Sequence, residues 1–342
     1  MIRGHINKLA ILGFRCFQAP FEQSFVGPTG VSNTLIVAGP NGSGKTSLLE
    51  AILYALGREH LILGQLAADD QRHWLSTALA ADVRITVVID VSSAPGTILG
   101  TRTPCSVTVT RTRSLWQVTV GTDGAPIAEG EEGSRALLGE LPVEWFSSWR
   151  QPYLPGPVTP MSSPPSEARG ESSRLWRVKQ RFVDERARSA FGSAPGIDVE
   201  WLARLARAWT TLRGDDGTFF SLAADETDEP GTHFDLVLKR LSPDLGEIIL
   251  CSVDQLSSGE IEWVTIAGTL ITDNFDGIVL IDEPELHLNP EWQARVLPTL
   301  RELAPKSQLI LASHADAPWD QAYSFERILL VPSDDPRARS AE

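Results

Sequence analysis

The 342-residue sequence predicts an α/β protein with a mostly parallel core sheet, an antiparallel β lobe and a short helical insertion. Three observations carry the expectation. Thr34-Leu35-Ile36-Val37-Ala38 is an apolar run that ends in the loop Gly39-Pro40-Asn41-Gly42-Ser43-Gly44-Lys45-Thr46, and apolar residues recur at helical spacing from Thr46 to Leu56. That order is strand, glycine loop, helix. Residues 84–91, 105–111 and 115–121 alternate with period two between Gly, Pro, Ser and Asp, the pattern of an antiparallel meander. Far downstream, Ile278-Val279-Leu280-Ile281 and Gln308-Leu309-Ile310-Leu311-Ala312 are short apolar runs that read as buried strands.

Taken in order, residues 6–17 alternate around Leu9, Ile11 and Phe14 and predict a strand lying beside Thr34–Ala38 in one sheet. Residues 61–79 are mixed and read as helical. Residues 143–147 form another candidate strand and run into Trp149-Arg150-Gln151-Pro152. Six prolines from Pro152 to Pro165, with glycine and serine among them, predict an extended, mobile connector rather than a polyproline ligand. Two helices follow, residues 172–191 with a stripe at Leu175, Val178 and Phe182, and residues 199–212 with one at Leu202, Leu205, Trp209 and Leu212. The first also carries Arg174, Arg177, Lys179, Arg181, Arg186 and Arg188, which either face nucleic acid or an acidic partner, or are solvated and paired with local carboxylates. Residues 234–240 and 247–253 flank Ser242-Pro243-Asp244-Leu245-Gly246 as a hairpin. The expected divisions are an N-terminal lobe at 1–150, the connector and helical insertion at 151–231, a C-terminal lobe at 232–332 and a tail at 333–342.

A formal net charge of −14 argues against nucleic-acid binding over the whole surface and leaves room for a local basic patch. Cys16, Cys105 and Cys251 have no paired spacing, which fits a reducing compartment and no metal cluster. The start MIRGHINKLA lacks an apolar core, and no run approaches the ~18 apolar residues of a membrane helix, so a cytoplasmic protein without a membrane span is expected.

The chemistry concentrates in four places. Gly39, Gly42 and Gly44 let backbone N–H groups converge on an anion, and the helix that follows adds its positive end. The expected ligand is a nucleoside triphosphate, ATP, with Pro40, Asn41, Ser43 and Ser47 completing the cradle. Lys45 would reach the outer phosphates and the Thr46 hydroxyl would hold Mg²⁺. Leu256-Ser257-Ser258-Gly259-Glu260 precedes an apolar helical run, and Ser257 with Glu260 reads most simply as a capping box. Asp282 and Glu283 close a buried strand, where two adjacent carboxylates are costly unless used. Asp282 would bind the magnesium ion or its water shell, and Glu283 would orient and deprotonate the attacking water. Finally, His314 follows the last apolar run, placed to contact the γ-phosphate.

The order GPNGSGKT, Gln151, LSSGE, IVLIDEPELHLNP, ASH resembles the ABC ATPase superfamily, and within it the SMC-like and RecF-like branch of prokaryotic AAA-family ATPases. A compact group with a strand-rich N-terminal lobe and the phrase DEPELHL, found in genome maintenance and phage defence, is the nearest pattern. The resemblance implies a P-loop NTPase of ABC-ATPase type that forms an ATP-dependent homodimer. Lys45, Thr46, Asp282, Glu283 and His314 of one chain would meet Ser257, Ser258 and Gly259 of the other. Gln151 would join the magnesium site and the catalytic group, coupling hydrolysis to the neighbouring lobe. His287 would lie where subunits touch, and Asn289-Pro290 would cap the next helix. Two departures matter. The stretch between Gln151 and Leu256 is too short for a DNA-bridging arm, and the residues after His314 leave no room for a Toprim nuclease, so a nuclease or toxin effector would be separately encoded. DNA as a partner rests on the arginines of 172–191 alone. The alternatives are a slow-turnover assembly module and the nucleotide-binding subunit of a transporter; LSSGE in place of LSGGQ speaks against the second.

Overall fold

The computed structural model describes residues 2–64, 68–93, 105–120, 125–148, 154–163, 173–191, 197–225 and 233–331. The chain opens with β1 (Ile2–Phe14), β2 (Phe21–Ser24), the small pair β3 (Val26–Gly27) and β4 (Gly30–Val31), and β5 (Thr34–Ala38). Helices α1 (Lys45–Ala55), α2 (Glu59–Leu63) and α3 (Ala68–Ala78) follow, then β6 (Leu79–Ser93), β7 (Cys105–Thr112), β8 (Trp116–Val120), β9 (Ala125–Glu129), α4 (Gly130–Gly139) and β10 (Val143–Phe146). Next come α5 (Arg174–Phe191), α6 (Ile197–Arg213), β11 (Thr218–Asp225), β12 (His233–Ser242), β13 (Gly246–Ser252) and α7 (Ser258–Thr272). The last elements are β14 (Ile278–Asp282), α8 (Pro290–Leu303), β15 (Gln308–Ser313), α9 (Asp316–Gln321) and β16 (Arg327–Leu329).

Two compact units divide this order: Met1–Ser148 with Asp276–Pro284 and Lys306–Glu342, and Trp149–Phe275 with Glu285–Pro305. The first holds a five-stranded sheet in the order β10-β14-β15-β5-β16, parallel at every pairing. Its central strands are buried along their length, which is why they read as unbroken apolar runs. The first unit also holds a six-stranded antiparallel sheet, β2-β1-β6-β7-β8-β9. Here the expectation that residues 6–17 lie beside Thr34–Ala38 fails: β1 pairs with β2 and β6, and β5 pairs with β15 and β16. The physical reason is visible in burial. β1 alternates buried and partly exposed positions and suits a sheet with unlike faces, whereas β5 has four fully buried residues in succession. One apolar core takes side chains from both sheets and from α1, including Leu9, Phe14, Leu48, Ile52, Val109 and Ile310.

In the second unit β11, β12 and β13 form an antiparallel sheet, so the expected hairpin gains a third strand. Trp209 of α6 is its hub, edge-on to Phe220 at 5.1 Å and to Trp292 at 6.4 Å. The described part of the connector is not the mobile linker expected. In its described part, 154–163, Val158 exchanges backbone hydrogen bonds of 2.7 and 2.9 Å with Phe234, and Thr159 and Ser162 bond the Gln180 side chain. The basic helix loses part of its face to the interior: Arg174 and Lys179 are buried, Arg181 pairs with Asp273 and Arg188 with Glu185. Cys16, Cys105 and Cys251 are free thiols. No helix among the described residues is long and apolar enough to cross a membrane.

Candidate nucleotide site

β5 delivers the glycine loop to the edge of α1, and the backbone there could be made by few other sequences. Gly39 has φ 153°, and a Cβ on it would lie 2.2 Å from the Leu330 carbonyl oxygen and 2.6 Å from Ser43 Oγ. Gly42 and Gly44 also have positive φ, at 79° and 99°. Pro40, Asn41 and Gly42 are exposed along the loop, while Ser43, Lys45 and Ser47 are buried. Lys45 Nζ turns back over the loop and donates to the carbonyl oxygens of Gly39 at 2.8 Å and Pro40 at 3.0 Å. Ser43 Oγ is buried with no hydrogen-bond partner in the loop as it stands. A cationic lysine, a run of loop amides and an unsatisfied hydroxyl are the donors a polyphosphate needs, so the cradle fits the predicted ligand.

Across from the loop, β14 ends at Asp282, which is 1% exposed. Its Oδ2 accepts hydrogen bonds from Thr46 Oγ1 and from Ser148 Oγ, both at 2.9 Å. The expected Thr46–Asp282 pairing is therefore assembled, and Ser148 is a member that sequence reasoning missed. Nothing around Ser148 marks it: it stands two residues beyond β10 in no recognised motif. These oxygens are hard donors, suited to Mg²⁺ completed by phosphate and water. Among the described residues no group of three or more His, Cys, Asp or Glu side chains could hold a metal by itself.

Glu283 sits in a left-handed backbone conformation, φ 52°, fixed by its N–H donating to the Ala312 carbonyl at 2.8 Å. That turn aims the side chain at His314, whose Nε2 lies 3.0 Å from Glu283 Oε1. The candidate base and the candidate γ-phosphate sensor, 31 residues apart in sequence, thus form one pair through the parallel pairing of β14 and β15. A second unforeseen group lies within reach of the Asp282 charge. Glu50 of α1 is buried, contacts Arg15 at 2.7 Å, and has its carboxyl pushed up to about 7, first by burial, opposed by Arg15 and reinforced by the charge of Asp282. Gln151 lies outside the described residues.

The serine turn is built within the second unit. Ser257 and Ser258 are exposed at the amino end of α7, and Gly259 is buried. Ser257 N–H and Oγ both donate to Glu260 Oε2, at 2.9 and 2.7 Å, and Arg213 holds the other oxygen of Glu260 at 3.1 Å. The glycine is dictated by packing: a Cβ at position 259 would lie 2.5 Å from the His287 carbonyl oxygen. His287, itself at φ 61°, places Nδ1 3.2 Å from the buried Glu262 of α7. Asn289 then caps α8, its side chain accepting from Trp292 N–H at 2.9 Å with Pro290 in the first turn, as expected.

Comparison with known proteins bears on the fold that carries these residues. Residues 210–317 match the AAA-domain family labelled AbiEii toxin, type IV TA system, and residues 8–93 match a second AAA-domain family. Over 48 residues, 14% of this chain, the sequence is 38% identical to the Septu protein PtuA of Bacillus thuringiensis, and the match spans 12% of that relative's length. Two solved structures share the fold. A SmcHead bound to the C-winged helix domain of ScpA aligns with a TM-score of 0.56 at 16% identity, over 93% of this chain and 92% of that one. An Smc head domain with an extended coiled coil, bound to the C-terminal domain of ScpA derived from Pyrococcus furiosus, aligns at 0.54 and 15%, over 94% and 92%.

Proposed function

We propose that this chain is an ABC-type ATPase of the SMC-like and RecF-like branch that works as an ATP-hydrolysing dimerisation switch, a reading supported by its two AAA-domain matches and its likeness in fold to Smc heads. The observation that carries the reading is the exposure of Ser257 and Ser258 at the amino end of a fifteen-residue helix, where they are available to a triphosphate held by another copy. In each copy the loop amides and Lys45 bind the outer phosphates, and Thr46 and Asp282 hold Mg²⁺, with Gln151 assigned to the same site. Magnesium, when bound, supplies charge neutralisation at the phosphates. Glu283 orients the attacking water and takes its proton, and His314 meets the γ-phosphate. Loss of that phosphate removes what the serine turn binds, and the dimer opens.

The relatives also bear on the wider role. A place in phage defence, ahead of genome maintenance, with a separately encoded nuclease or toxin as effector, is favoured by the local likeness to the Septu protein and to the AbiEii-labelled family. DNA is the weaker partner, because two of the basic residues of α5 are buried. Slow turnover is a second reading of the same site, supported by the Glu283–His314 pair, which occupies the base until it is displaced.

Light scattering with and without ATP tests the switch. Glu283→Gln is expected to lower turnover by about 10²–10⁴-fold while accumulating an ATP-bound dimer. Lys45→Ala is expected to lose nucleotide and dimer together. A Glu283→Gln protein that stays monomeric in saturating ATP would overturn the reading.

A further inference from the structure

At the carboxyl end of α1, the end that faces away from the glycine loop, lies a hollow of about 160 Å³. Tyr54 and Trp116 form its walls, and Arg111, Arg113, Ser114 and Leu115 complete it. α1 has eleven residues, which puts the hollow about 16 Å along the helix from Lys45. Two guanidinium groups line it and no carboxylate does, in a chain whose formal net charge is −14. The nucleotide cradle uses none of these side chains.

The hollow is organised before any ligand arrives. The Arg111 guanidinium lies 4.0 Å from the ring centre of Tyr54 and 4.5 Å from that of Trp116, and Glu59 holds it through two hydrogen bonds of 2.9 and 3.1 Å. Arg111 also donates to the Tyr54 carbonyl, and Trp116 Nε1 donates to the Ala55 carbonyl at 3.1 Å. Two of the carbonyls with which a helix end repels an anion are thereby occupied. Gly57, at φ 70°, lets Trp116 close over the end of α1: a Cβ there would lie 2.2 Å from the indole ring. Thr112 Oγ1 accepts from the N–H groups of Ser114 at 3.3 Å and Leu115 at 2.9 Å, which fixes the turn that carries Arg113. Arg113 itself is exposed, donates to the Leu79 carbonyl, and has no carboxylate partner among the described residues. Burial, opposed by the Arg111 charge, raises the Tyr54 phenol above its usual range, so the hydroxyl keeps its proton.

We infer that this hollow is a second anion site, which binds the phosphate group of a small molecule, either inorganic phosphate or a phosphate monoester. A carboxylate brings one charge and two acceptor oxygens, whereas a terminal phosphate brings up to two charges and three, the better match to two guanidinium groups and the hydroxyls beside them. The volume is well below the ~300–1,000 Å³ of drug-sized sites and suits a phosphate with little attached to it. Nucleic acid fits less well. Both aromatic rings are buried with Arg111 against them, so neither offers a face for a base to stack on, and the net charge of the chain repels a polyanion while a small dianion still enters a local positive hollow. The site does not depend on the dimer reading above.

The test is isothermal titration of inorganic phosphate into the full-length Lys45→Ala protein at constant ionic strength, so that the glycine loop, itself an anion site, is disabled throughout. Phosphate is expected to bind this protein, and Arg113→Gln added to it is expected to weaken that binding about tenfold or more, the loss of one charge-assisted hydrogen bond. Arg113→Lys should recover part of the loss, and the unfolding temperature should change little because the side chain is exposed. No phosphate binding to the Lys45→Ala protein, or equal binding with and without Arg113, overturns the proposal. A fall in unfolding temperature that tracks the loss of phosphate also overturns it, since Arg113 would then support the fold alone. A DNA duplex without terminal phosphates is the second arm, and its binding is expected to be the same with Arg113 or Gln at this position. Arg113-dependent binding of the duplex without binding of inorganic phosphate would assign the arginine to a nucleic-acid backbone and end the small-molecule site. None of these outcomes bears on the dimerisation switch, which is read with the glycine loop intact.

Discussion

Asp282 is held by two hydroxyls of unlike origin, one from the glycine loop and one from the chain just beyond β10. Groups that orient a metal ligand from behind typically change metal affinity by about 10–100-fold when removed. Ser148→Ala is therefore expected to raise the magnesium concentration needed for half-maximal turnover about tenfold and to leave ATP binding without magnesium unchanged, as a magnesium titration would read. Glu50 gives a pH dependence. Its carboxyl moves from 4.5 to about 7 on folding, so the folded chain binds the proton more tightly across that window. The associated stability is complete below pH 4.5 and is lost as pH rises through about 7, at about 1.4 kcal/mol per unit, or about 3 kcal/mol in all. Denaturation of the magnesium-free protein should show this fall between pH 5 and 8, and Glu50→Gln should flatten it. At this scale the motifs were legible because each compresses chemistry into a fixed spacing: Lys45 with Thr46, and Asp282 with Glu283. Ser148 and Glu50 were not, because each acts through a neighbour brought to it by the fold, and neither residue type is unusual in its local sequence.

Among the elements, legibility followed periodicity. β5, β14 and β15 announced themselves as apolar runs, and α5 and α6 as stripes that the structure buries at Leu175, Val178, Phe182, Leu205, Trp209 and Leu212. β11 and α4 left weaker traces. The alternation of β11 covers only eight residues beside an Asp-Gly turn, and α4 begins in Gly130-Glu131-Glu132-Gly133, whose glycines argue against a helix. The pairing of β1 with β6 could not be read at all, since it depends on residues about eighty positions away that share no local signal. The cap of α8 is the element-level prediction. Asn289→Ala should cost about 1 kcal/mol of stability and Asn289→Asp almost nothing, with ATP affinity unchanged in both; chemical denaturation with a nucleotide-binding control checks it.

For the whole molecule, a charge of −14 with the arginines of α5 partly buried or paired leaves recognition to the sites rather than to a general field. The two units are interleaved: the chain passes from one to the other after Ser148, Phe275, Pro284 and Pro305. Glu283 accordingly stands at the end of a nine-residue visit, Asp276–Pro284, between two excursions. A fragment ending at Pro305 lacks β15, which separates β14 from β5 in the core sheet. Such a fragment is expected to bind no ATP by equilibrium dialysis, although it retains the complete glycine loop. The pairing of β5 has a further bearing on biogenesis. Its two sheet neighbours, β15 and β16, begin 270 and 289 residues after it ends (308 − 38 and 327 − 38), so the strand that presents the glycine loop must wait unpaired while the intervening chain is synthesised. A growing chain would then gain the sheet that presents its glycine loop only after β15 and β16 had emerged, and copies halted before that point would carry the loop on an unpaired strand.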